Sequence, residues 1–363
     1  MNAKRLAKTS LLAATILPIS LVGVSCGNAS TSSGNTNSGS LVAVVSGGTY
    51  ERGLNVANFI PFEQATGIKV KIVETGEDPV AQVQAQEASG KVLYDVVGCN
   101  ISQALQFPSL WAPIDYSIVT ATKDLVDPAG DGNIYVMHDM EAFPVLGYNT
   151  NAHKNPPTSW ADYFDTAHFP GPRGMPNFGL QSAWAMPAVA LLADGVAPSD
   201  LVPFDLNRAY AKLQTMKPRI KVFYTSYSTG QDLLRSGEIS MGILTDGRIL
   251  QLINQGGPAG VVWNQGFISH GDMCTPKGAP NAKNAMIYYQ WVLSHAEPQE
   301  VFTAITAYGP PTQQGVTLAQ KAGLTDFTSL HVPQLIPEST KLLNYIQQNS
   351  DALLNRWNAF VNG

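Results

Sequence analysis

Apolar runs and segments of helical periodicity alternate along this chain from Leu41 onward. The run Leu41–Val45 is typical of a strand that is covered on both faces of its sheet. Gly47 and Gly48 then predict a sharp turn, because glycine takes positive φ without steric cost. A helix is expected over 49–66, and Pro61, which has no backbone N–H, is expected to divide it into two pieces.

The alternation continues to the C-terminus and predicts an α/β protein with largely parallel sheets. Further strands are expected over 68–73, 94–97 and 239–244, and further helices over 79–89, 160–164, 231–235 (capped by Thr229), 248–254 and 337–360. The expected buried face of the last segment consists of Leu342, Leu343, Ile346, Leu353 and Leu354. A chain of 363 residues is too long for one core, so two lobes are expected.

The first 25 residues follow the pattern of an export signal. Three basic residues precede an apolar stretch at 11–24, which is shorter than the roughly 20 apolar residues that a membrane span needs. Gly23-Val24-Ser25-Cys26 resembles a bacterial lipobox, whose cysteine is lipidated, although Gly23 replaces the usual leucine; ordinary cleavage nearby is the alternative. Residues 26–40 are rich in Gly, Ser, Asn and Thr and are expected to form a flexible tether above a membrane.

The charge of the chain is acidic and excludes one class of partner. Removal of residues 1–25, which carry three basic and no acidic side chains, changes the formal net charge from −5 to −8. An acidic body without a run of Lys or Arg argues against nucleic acid as a partner. The hydrophobic content of 44% is that of a well-cored globular protein, and no later segment is long and apolar enough to be a membrane span.

The segment Ser46–Val70, SGGTYERGLNVANFIPFEQATGIKV, resembles the first βα unit of extracellular solute-binding proteins of ABC importers, in the branch that includes polyamine-binding receptors. Supporting motifs follow in the same order at 146–150, 158–162, 237–242, 276–281 and 308–310. The resemblance extends from about residue 41 to residue 312. It implies an α/β, two-lobed, periplasmic-binding-protein-like fold of type II, with discontinuous lobes and a hinge cleft that closes over a ligand.

The same resemblance implies lobe boundaries and partners. Lobe 1 is expected at 41–145 plus 268–320, and lobe 2 at 146–267 plus 321–363. Cys99 and Cys274 are implied to lie on neighbouring strands of the first lobe, where they form either a disulfide or two buried thiols. The implied partners are a small-molecule ligand, the permease subunits of an ABC transporter and, through a lipid on Cys26, a membrane. A monomer is expected, exported to the periplasm or the outer face of the cell membrane, without cofactor or metal.

Candidate ligand contacts lie at the turns that face the cleft and at the hinge, where free N–H groups at helix starts favour a polar group. They are Ser46, Gly47, Gly48, Thr49, Tyr50, Asn100, Ser102, Glu141, Thr245, Asp246, Arg248 and Asp272. Structural alternatives are a plain Gly-Gly turn, a solvated carboxylate at Glu141 and an Arg248–Asp246 ion pair. Candidate aromatic walls, for which core packing is the alternative, are Trp184, Tyr224 and Tyr227.

The charges leave two ligand classes open. Asp139, Glu141 and further acids favour a cationic or zwitterionic amine, of the polyamine or amino-acid-derivative kind. Arg248 and the helix starts instead favour a small organic anion such as a carboxylate. The amine cage of polyamine receptors is incomplete, since the segment 244–247 reads Leu-Thr-Asp-Gly where those receptors carry a tryptophan before Asn-Gly.

A two-lobed enzyme acting on a small metabolite is the alternative of a different class, because fold alone does not exclude catalysis. Beyond residue 27, where the expected export signal has ended, the sequence contains no G-x-S-x-G, H-E-x-x-H, P-loop, G-x-G-x-x-G or C-x-x-C motif. The six histidines do not pair at i, i+3 or i+4 spacing. A receptor that captures a solute without altering it is therefore the expected function.

Overall fold

The computed structural model describes residues 39–75 and 79–363. The expected export signal, Cys26 and the tether up to residue 38 lie outside the described residues. The strands are β1 (Ser40–Ser46), β2 (Lys69–Thr75), β3 (Val96–Cys99), β4 (Tyr135–Ala142), β5 (Val145–Asn149), β6 (Arg173–Pro176), β7 (Ile220–Tyr224), β8 (Met241–Leu244), β9 (Ala259–Val262) and β10 (Ile268–Cys274).

Helices of α-helical geometry lie between and after these strands. They are α1 (Thr49–Leu54), α2 (Ile60–Thr66), α3 (Val80–Ala88), α4 (Ile101–Gln106), α5 (Trp160–Phe164), α6 (Leu180–Ala193), α7 (Leu206–Met216), α8 (Tyr227–Ser236), α9 (Asp246–Asn254), α10 (Ala282–Ser294), α11 (Ala296–Thr306), α12 (Gln313–Lys321), α13 (Thr340–Gln348) and α14 (Ser350–Asn362). Among the described residues, none of the helices has both the length and the apolar character that a membrane crossing requires.

The strands form two sheets, and the expected two-lobed α/β fold is confirmed. The first sheet has the order β2-β1-β3-β10-β4, and the second has the order β7-β6-β8-β5-β9. In the first sheet β1 is parallel to β2 and β3, whereas β10 is antiparallel to β3 and β4. In the second, β6 is parallel to β7 and β8, and β5 is antiparallel to β8 and β9. The sheets are thus mixed rather than largely parallel, because the strands at the lobe crossings run against their neighbours.

The chain passes between the sheets at three places, which lie against one another. The first passage, at Phe143 between β4 and β5, and the second, between β9 and β10, are joined by a hydrogen bond from Phe143 N to Phe267 O at 3.0 Å. The third passage follows α12, where Ile336 N donates to Gly266 O at 2.7 Å and Ile268 N donates to Ile336 O at 2.9 Å. The three segments together form the joint between the lobes.

The C-terminal segment changes lobe later than residue 321. Phe327 packs with Val316 and Ala319 of α12, on the side of the first lobe. Beyond the third passage, α13 and α14 bury Leu342, Ile346, Leu353, Trp357 and Phe360 in the core of the second lobe. Leu343 packs instead against the first lobe, and Leu354 is only partly buried. The amphipathic pattern therefore identified the helical tail and most of its buried face.

The first helix has two α-helical pieces, as expected, but they are divided before Pro61 and not at it. A π-helical turn at Asn55–Phe59 joins α1 to α2, and Ile60 N donates to Asn55 O, five residues back. A proline ring normally clashes with the carbonyl four residues before it, and proline has no N–H to donate. The extra residue in the π turn relieves both problems, so the helix continues with a local bulge.

Two helices near the cleft begin earlier than expected. Helix α8 begins at Tyr227, and its cap is Ser226, whose hydroxyl accepts from Thr229 N; the prediction of Thr229 as cap is wrong. Helix α9 begins at Asp246 rather than at residue 248. Helix α5 covers the expected residues, with a capping box formed by Ser159 and Asp162.

Candidate functional site

A cavity lies between the two sheets, at the ends of strands from both lobes. About 60 Å³ of it is available to the centres of water-sized spheres, which suits a small solute rather than a polymer. The first lobe lines it with Ser46, Tyr50, Gly98, Cys99, Asn100, Gln103, Glu141, His270, Gly271 and Tyr308. The second lobe lines it with Gln181, Tyr227 and Arg248.

Five of the candidate ligand contacts line this cavity: Ser46, Tyr50, Asn100, Glu141 and Arg248. They come from the turn after β1, the turn after β3, the end of β4 and the first turn of α9. The ends of parallel strands lie at one edge of a sheet, which is why residues so far apart in sequence meet here. Asn100 also caps α4 through a reciprocal pair of hydrogen bonds with Gln103.

The remaining residues of the glycine turn do not line the cavity. Gly48 has a φ of 79°, and a Cβ built on it would lie 3.5 Å from Ser228 Oγ and 3.7 Å from an Arg248 guanidinium nitrogen. Gly47 packs against the Glu74 side chain, and Thr49 begins α1. The glycine turn therefore lies against the second lobe. The residues on either side of it, Ser46 and Tyr50, contribute to the cavity wall.

Ser102 and Thr245 connect the lobes rather than line the cavity. The Trp184 indole N–H on α6 donates to Ser102 Oγ on α4 at 3.0 Å. The hydroxyls of Thr245 and Tyr308 lie 2.8 Å apart, and both residues are buried. Of the other aromatic candidates, Tyr227 lines the cavity, whereas Tyr224 lies in the core of the second lobe.

Asp246 lies at the joint between the lobes and is fully buried. Its carboxylate accepts from Ala142 N at 2.9 Å and from the Thr328 hydroxyl, so its partners are at the joint and Arg248 is not one of them. Burial raises the pKa of Asp246 to about 7, in opposition to these hydrogen bonds. The geometry thus gives Asp246 a structural position.

Asp272 is also buried away from the cavity. The pairing of β10 with β4 shifts by one residue between Gly271 and Asp272, because β4 carries one extra residue there, His138. His270 and Gly271 line the cavity in place of Asp272. Tyr308 stands in a motif that the sequence singled out, and Gln103 stands at the capping position after Asn100; Gln181 carries no such signal.

Asp272 belongs to a buried acidic cluster behind His270, completed by Asp127 and Glu338. His270 Nε2 lies 3.3 Å from Asp127 Oδ2, whereas both oxygens of Asp272 and Oε2 of Glu338 lack a hydrogen-bond partner among the described residues. Burial raises the pKa of Asp272 to about 7 and that of Glu338 to about 8. Burial acts to lower the pKa of His270, but the hydrogen bond to Asp127 and the neighbouring acids outweigh it and raise the pKa.

Arg248 and Glu141 bring opposite charges to the same cavity from opposite lobes. Arg248 is 4% exposed, and its Nε has no hydrogen-bond partner among the described residues. Its backbone is fixed by the Gln231 amide, which donates to Arg248 O at 2.7 Å. Tyr308, whose pKa is raised by burial and then by the charge of Glu141, lies close to both charges.

Tyr50 is part of a buried hydrogen-bonded chain that extends into the first lobe. Its hydroxyl donates to Asp139 Oδ2 at 2.8 Å, and the same oxygen lies 3.0 Å from His138 Nδ1. His138 Nε2 lies in turn 2.9 Å from Asn58 Nδ2. Burial, followed by the charges of Asp139 and Glu141, raises the pKa of Tyr50 well above its ordinary value.

Cys99 and Cys274 form a disulfide that joins β3 to β10, with their Cα atoms 6.4 Å apart. Cys99 also lines the cavity, so the bond lies within its wall. Over the described part of the chain, no three His, Cys, Asp or Glu side chains are arranged to hold a metal ion. The arrangement can bind a small charged solute through paired opposite charges and hydroxyl groups.

Comparison with known proteins identifies the family of this chain. The sequence model of the bacterial extracellular solute-binding protein family matches residues 59–326. A gamma-aminobutyric acid-binding protein of Pseudomonas aeruginosa is 29% identical over 297 residues, which cover 78% of this chain and 80% of that protein.

Solved structures are similar over nearly their whole length. A GABA receptor shares 28% identity with a TM-score of 0.77, over 88% of this chain and 97% of that one. A periplasmic binding protein of Agrobacterium tumefaciens R10 in complex with agropinic acid shares 28% identity with a TM-score of 0.75, over 90% and 99%. A substrate-binding protein of an ABC transporter from Bradyrhizobium japonicum USDA 110 shares 26% identity with a TM-score of 0.78, over 89% and 99%.

Proposed function

This chain belongs to the family of bacterial extracellular solute-binding proteins, and we propose that its ligand is a small zwitterion that carries both an ammonium and a carboxylate group. The protein is the substrate-binding component of an ABC transporter for small solutes. The similar proteins are solute-binding receptors and not enzymes, so the alternative of a two-lobed enzyme is set aside.

The observation that carries the proposal is the presence of Arg248 and Glu141 in one cavity. A guanidinium group holds a carboxylate through two parallel hydrogen bonds, and a carboxylate attracts an ammonium group. A zwitterion satisfies both charges at once, whereas a polyamine would face Arg248 and a dicarboxylate would face Glu141. Within the amine-bearing class, we therefore propose an amino acid rather than a simple polyamine.

The named relatives support the same class. The Pseudomonas protein is a gamma-aminobutyric acid-binding protein, and one of the similar structures is a GABA receptor. 4-Aminobutyrate has a carboxylate at one end and an ammonium group at the other, which suits charges that come from opposite lobes. Closure of the lobes about the joint would bring the two charges onto one ligand, and the closed form would be presented to the permease.

A small organic anion remains the second candidate, because one observation favours it. His270 lines the cavity together with Arg248, and its raised pKa favours the cationic form of the imidazole beside the guanidinium group. The charge of His270 is balanced by Asp127, at 3.3 Å, which leaves Arg248 as the group available to a carboxylate. A dicarboxylate is therefore included in the test below.

Titration calorimetry with 4-aminobutyrate, putrescine and glutarate tests the proposal. We expect 4-aminobutyrate to bind and the other two to bind at least tenfold more weakly. Arg248→Gln and Glu141→Gln should each weaken 4-aminobutyrate binding by about 30-fold or more, since each leaves a charge of the ligand unpaired. Arg235→Gln and Glu238→Gln alter exposed residues of the second lobe and serve as matched controls.

Binding of putrescine or glutarate in preference to 4-aminobutyrate would overturn the proposal and identify the alternative class. Native mass spectrometry of the purified protein, which detects any ligand retained from the cells, provides an independent identification.

Anchoring through Cys26 is a further part of the proposed function. The family acts outside the cytoplasm, and a lipid on Cys26 would hold this receptor near its permease. We expect the mature protein to partition into detergent as a monomer and Cys26→Ser to release it. A mature N-terminus at any residue other than Cys26, measured by intact mass, would refute the anchor.

A further inference from the structure

We propose that the buried side chains of Asp139, His138 and Asn58 orient the hydroxyl proton of Tyr50 away from the cavity, so that Tyr50 accepts hydrogen bonds from a ligand and does not donate them. Tyr50 then selects ligands whose group at this position is a donor, such as ammonium. Asp139 and His138 are positioning residues in this arrangement. The inference deepens the proposed function and rests on it for the identity of the ligand.

The chain of contacts is continuous and protected from solvent. The exposed fractions of Asp139, Asn58 and His138 are 0%, 1% and 4%. Tyr50 OH lies 2.8 Å from Asp139 Oδ2, His138 Nδ1 lies 3.0 Å from that oxygen, and Asn58 Nδ2 lies 2.9 Å from His138 Nε2. Water therefore does not compete for these bonds, and their polarity depends on the side chains alone.

The direction of each bond follows from which groups can donate. The Asn58 amide nitrogen only donates, so His138 Nε2 is the acceptor and the ring proton of neutral His138 is on Nδ1. Nδ1–H and Tyr50 O–H both point to one oxygen of Asp139, which is how an ionised carboxylate is held. A tyrosine hydroxyl has a single proton, and Tyr50 uses it on Asp139. The remaining capacity of its oxygen is to accept.

The position of the hydroxyl places that acceptor at the cavity wall. Tyr50 and Gly271 both line the cavity, and a Cβ built on Gly271 would lie 2.8 Å from the Tyr50 hydroxyl and 2.5 Å from Asp139 Oδ2. A side chain at 271 would therefore occupy the space beside this pair. The Tyr50 ring packs edge-on against Phe302 and Tyr308, with centroids 5.5 and 5.8 Å away, which keeps the hydroxyl in this place.

A merely structural role explains these residues less well. Two buried oxygens, Asn58 Oδ1 and Asp139 Oδ1, have no partner among the described residues, and such groups destabilise a fold. This series of hydrogen bonds ends at Tyr50, which is the one of the four residues that lines the cavity. A direct effect of the Asp139 charge on the ligand is the remaining alternative, and the experiment separates it.

The test is a double-mutant cycle of Asp139→Asn and Tyr50→Phe, read as the ratio of the affinities for glutarate and 4-aminobutyrate. The uncharged amide in Asp139→Asn holds the Tyr50 proton less firmly, so the hydroxyl becomes able to donate to an acceptor. We expect the glutarate to 4-aminobutyrate ratio to rise at least tenfold in Asp139→Asn. In the Tyr50→Phe background, Asp139→Asn should leave the ratio unchanged within twofold.

An equal rise of the ratio in both backgrounds would show that the Asp139 charge acts directly and would overturn the inference. No rise in Asp139→Asn would overturn it as well. Circular dichroism checks the fold of each variant; if Asp139→Asn does not fold, the measurement on the ligand-free wild-type protein described next decides the inference.

A readout without ligand separates this inference from the proposed function. Ring ¹⁵N NMR of the ligand-free wild-type protein should show His138 as the neutral tautomer with its proton on Nδ1. A proton on Nε2 would overturn the inference whatever the ligand is. If the tautomer is as expected but 4-aminobutyrate does not bind, the proposed function fails and the orientation of Tyr50 stands.

Discussion

At the scale of single residues, Asp272 and Glu338 are two buried acids whose carboxylate oxygens are mostly without hydrogen-bond partners among the described residues. Asp272 is 1% exposed and Glu338 is 8% exposed, and three of their four carboxylate oxygens lack partners among the described residues. Burial holds their pKa values near about 7 and about 8, so both acids bind protons far more tightly in the folded protein than in the unfolded chain.

These raised pKa values make the free energy of unfolding fall as the pH rises. A carboxyl group whose pKa is raised in the folded state contributes fully to stability at pH values below its pKa in the unfolded chain, which is about 4. This contribution is lost as the pH rises through the pKa in the folded state. The free energy of unfolding should therefore fall between pH 5 and pH 8, by up to about 1.4 kcal/mol per pH unit for each group. His270, whose pKa is also raised, contributes with the same sign as pH rises.

Denaturant unfolding at several pH values, on the wild type and on Asp272→Asn and Glu338→Gln, measures this slope. Each variant should flatten it, because an amide does not titrate, while the exposed-site control Asp200→Asn should keep it. Stability that rises with pH over this window would contradict the prediction.

At the scale of elements, the first helix and β4 each contain one irregularity that places a side chain. The π turn at Asn55–Phe59 carries Asn58, whose amide contacts His138. Opposite Gly271 and Asp272, β4 carries one extra residue, His138, whose ring contacts Asp139 and Asn58. Regular elements in these two places would point different side chains at the site, since one residue of register is about 100° on a helix and the opposite face on a strand.

Pro61→Ala tests the link between the proline and the π turn. Alanine has an N–H to donate and no ring to accommodate, so the helix can return to regular i→i−4 bonding and gain up to about 3 kcal/mol in propensity. The expected result is a higher free energy of unfolding together with loss of the Asn58–His138 hydrogen bond, seen as a changed His138 ring ¹⁵N shift. A stable variant with an unchanged shift would show that the π turn does not depend on Pro61.

Local chemistry explains which elements could be predicted from the sequence. Ser159 and Asp162 lie three residues apart and cap α5 by themselves, and the buried run of β1 needs only its own residues. The π turn, the bulge and the third passage depend on contacts between distant segments, such as Gly271 with Asp139 or Gly266 with Ile336. The same distinction holds for the site, where turns after strands were recognisable and Gln181, brought in by α6 of the other lobe, was not.

At the scale of the whole molecule, side-chain hydrogen bonds connect the two lobes, and an opening of the cleft would break them. Trp184 to Ser102 and Thr245 to Tyr308 both connect one lobe to the other. Ser102 and Thr245 do not line the cavity, so they favour closure without contributing to the ligand contacts. The apparent affinity for the ligand then depends on the free energy of closure. If the ligand binds the closed form, it binds more tightly when that form is more populated.

Ser102→Ala should accordingly weaken 4-aminobutyrate binding by about fivefold, the equivalent of one hydrogen bond of about 1 kcal/mol. Small-angle scattering should show a larger mean radius for the ligand-free variant than for the wild type, and saturating ligand should remove the difference. Ser199→Ala, in an exposed turn of the second lobe, is the control. An unchanged affinity and radius would mean that this bond does not bias the lobes.

The disulfide makes the completion of the site depend on the oxidation of two cysteines. Cys99 lies in the cavity wall, and its partner Cys274 is 175 residues later in the chain, at the end of β10. Thiols stay reduced in the cytoplasm, so a newly made chain lacks the disulfide in the cavity wall. The disulfide forms only after export. Oxidised protein should bind its ligand more tightly than Cys99→Ala/Cys274→Ala, and equal affinities would refute this. The receptor would thus reach its full affinity only outside the cytoplasm, and a chain still inside the cell would bind its solute weakly.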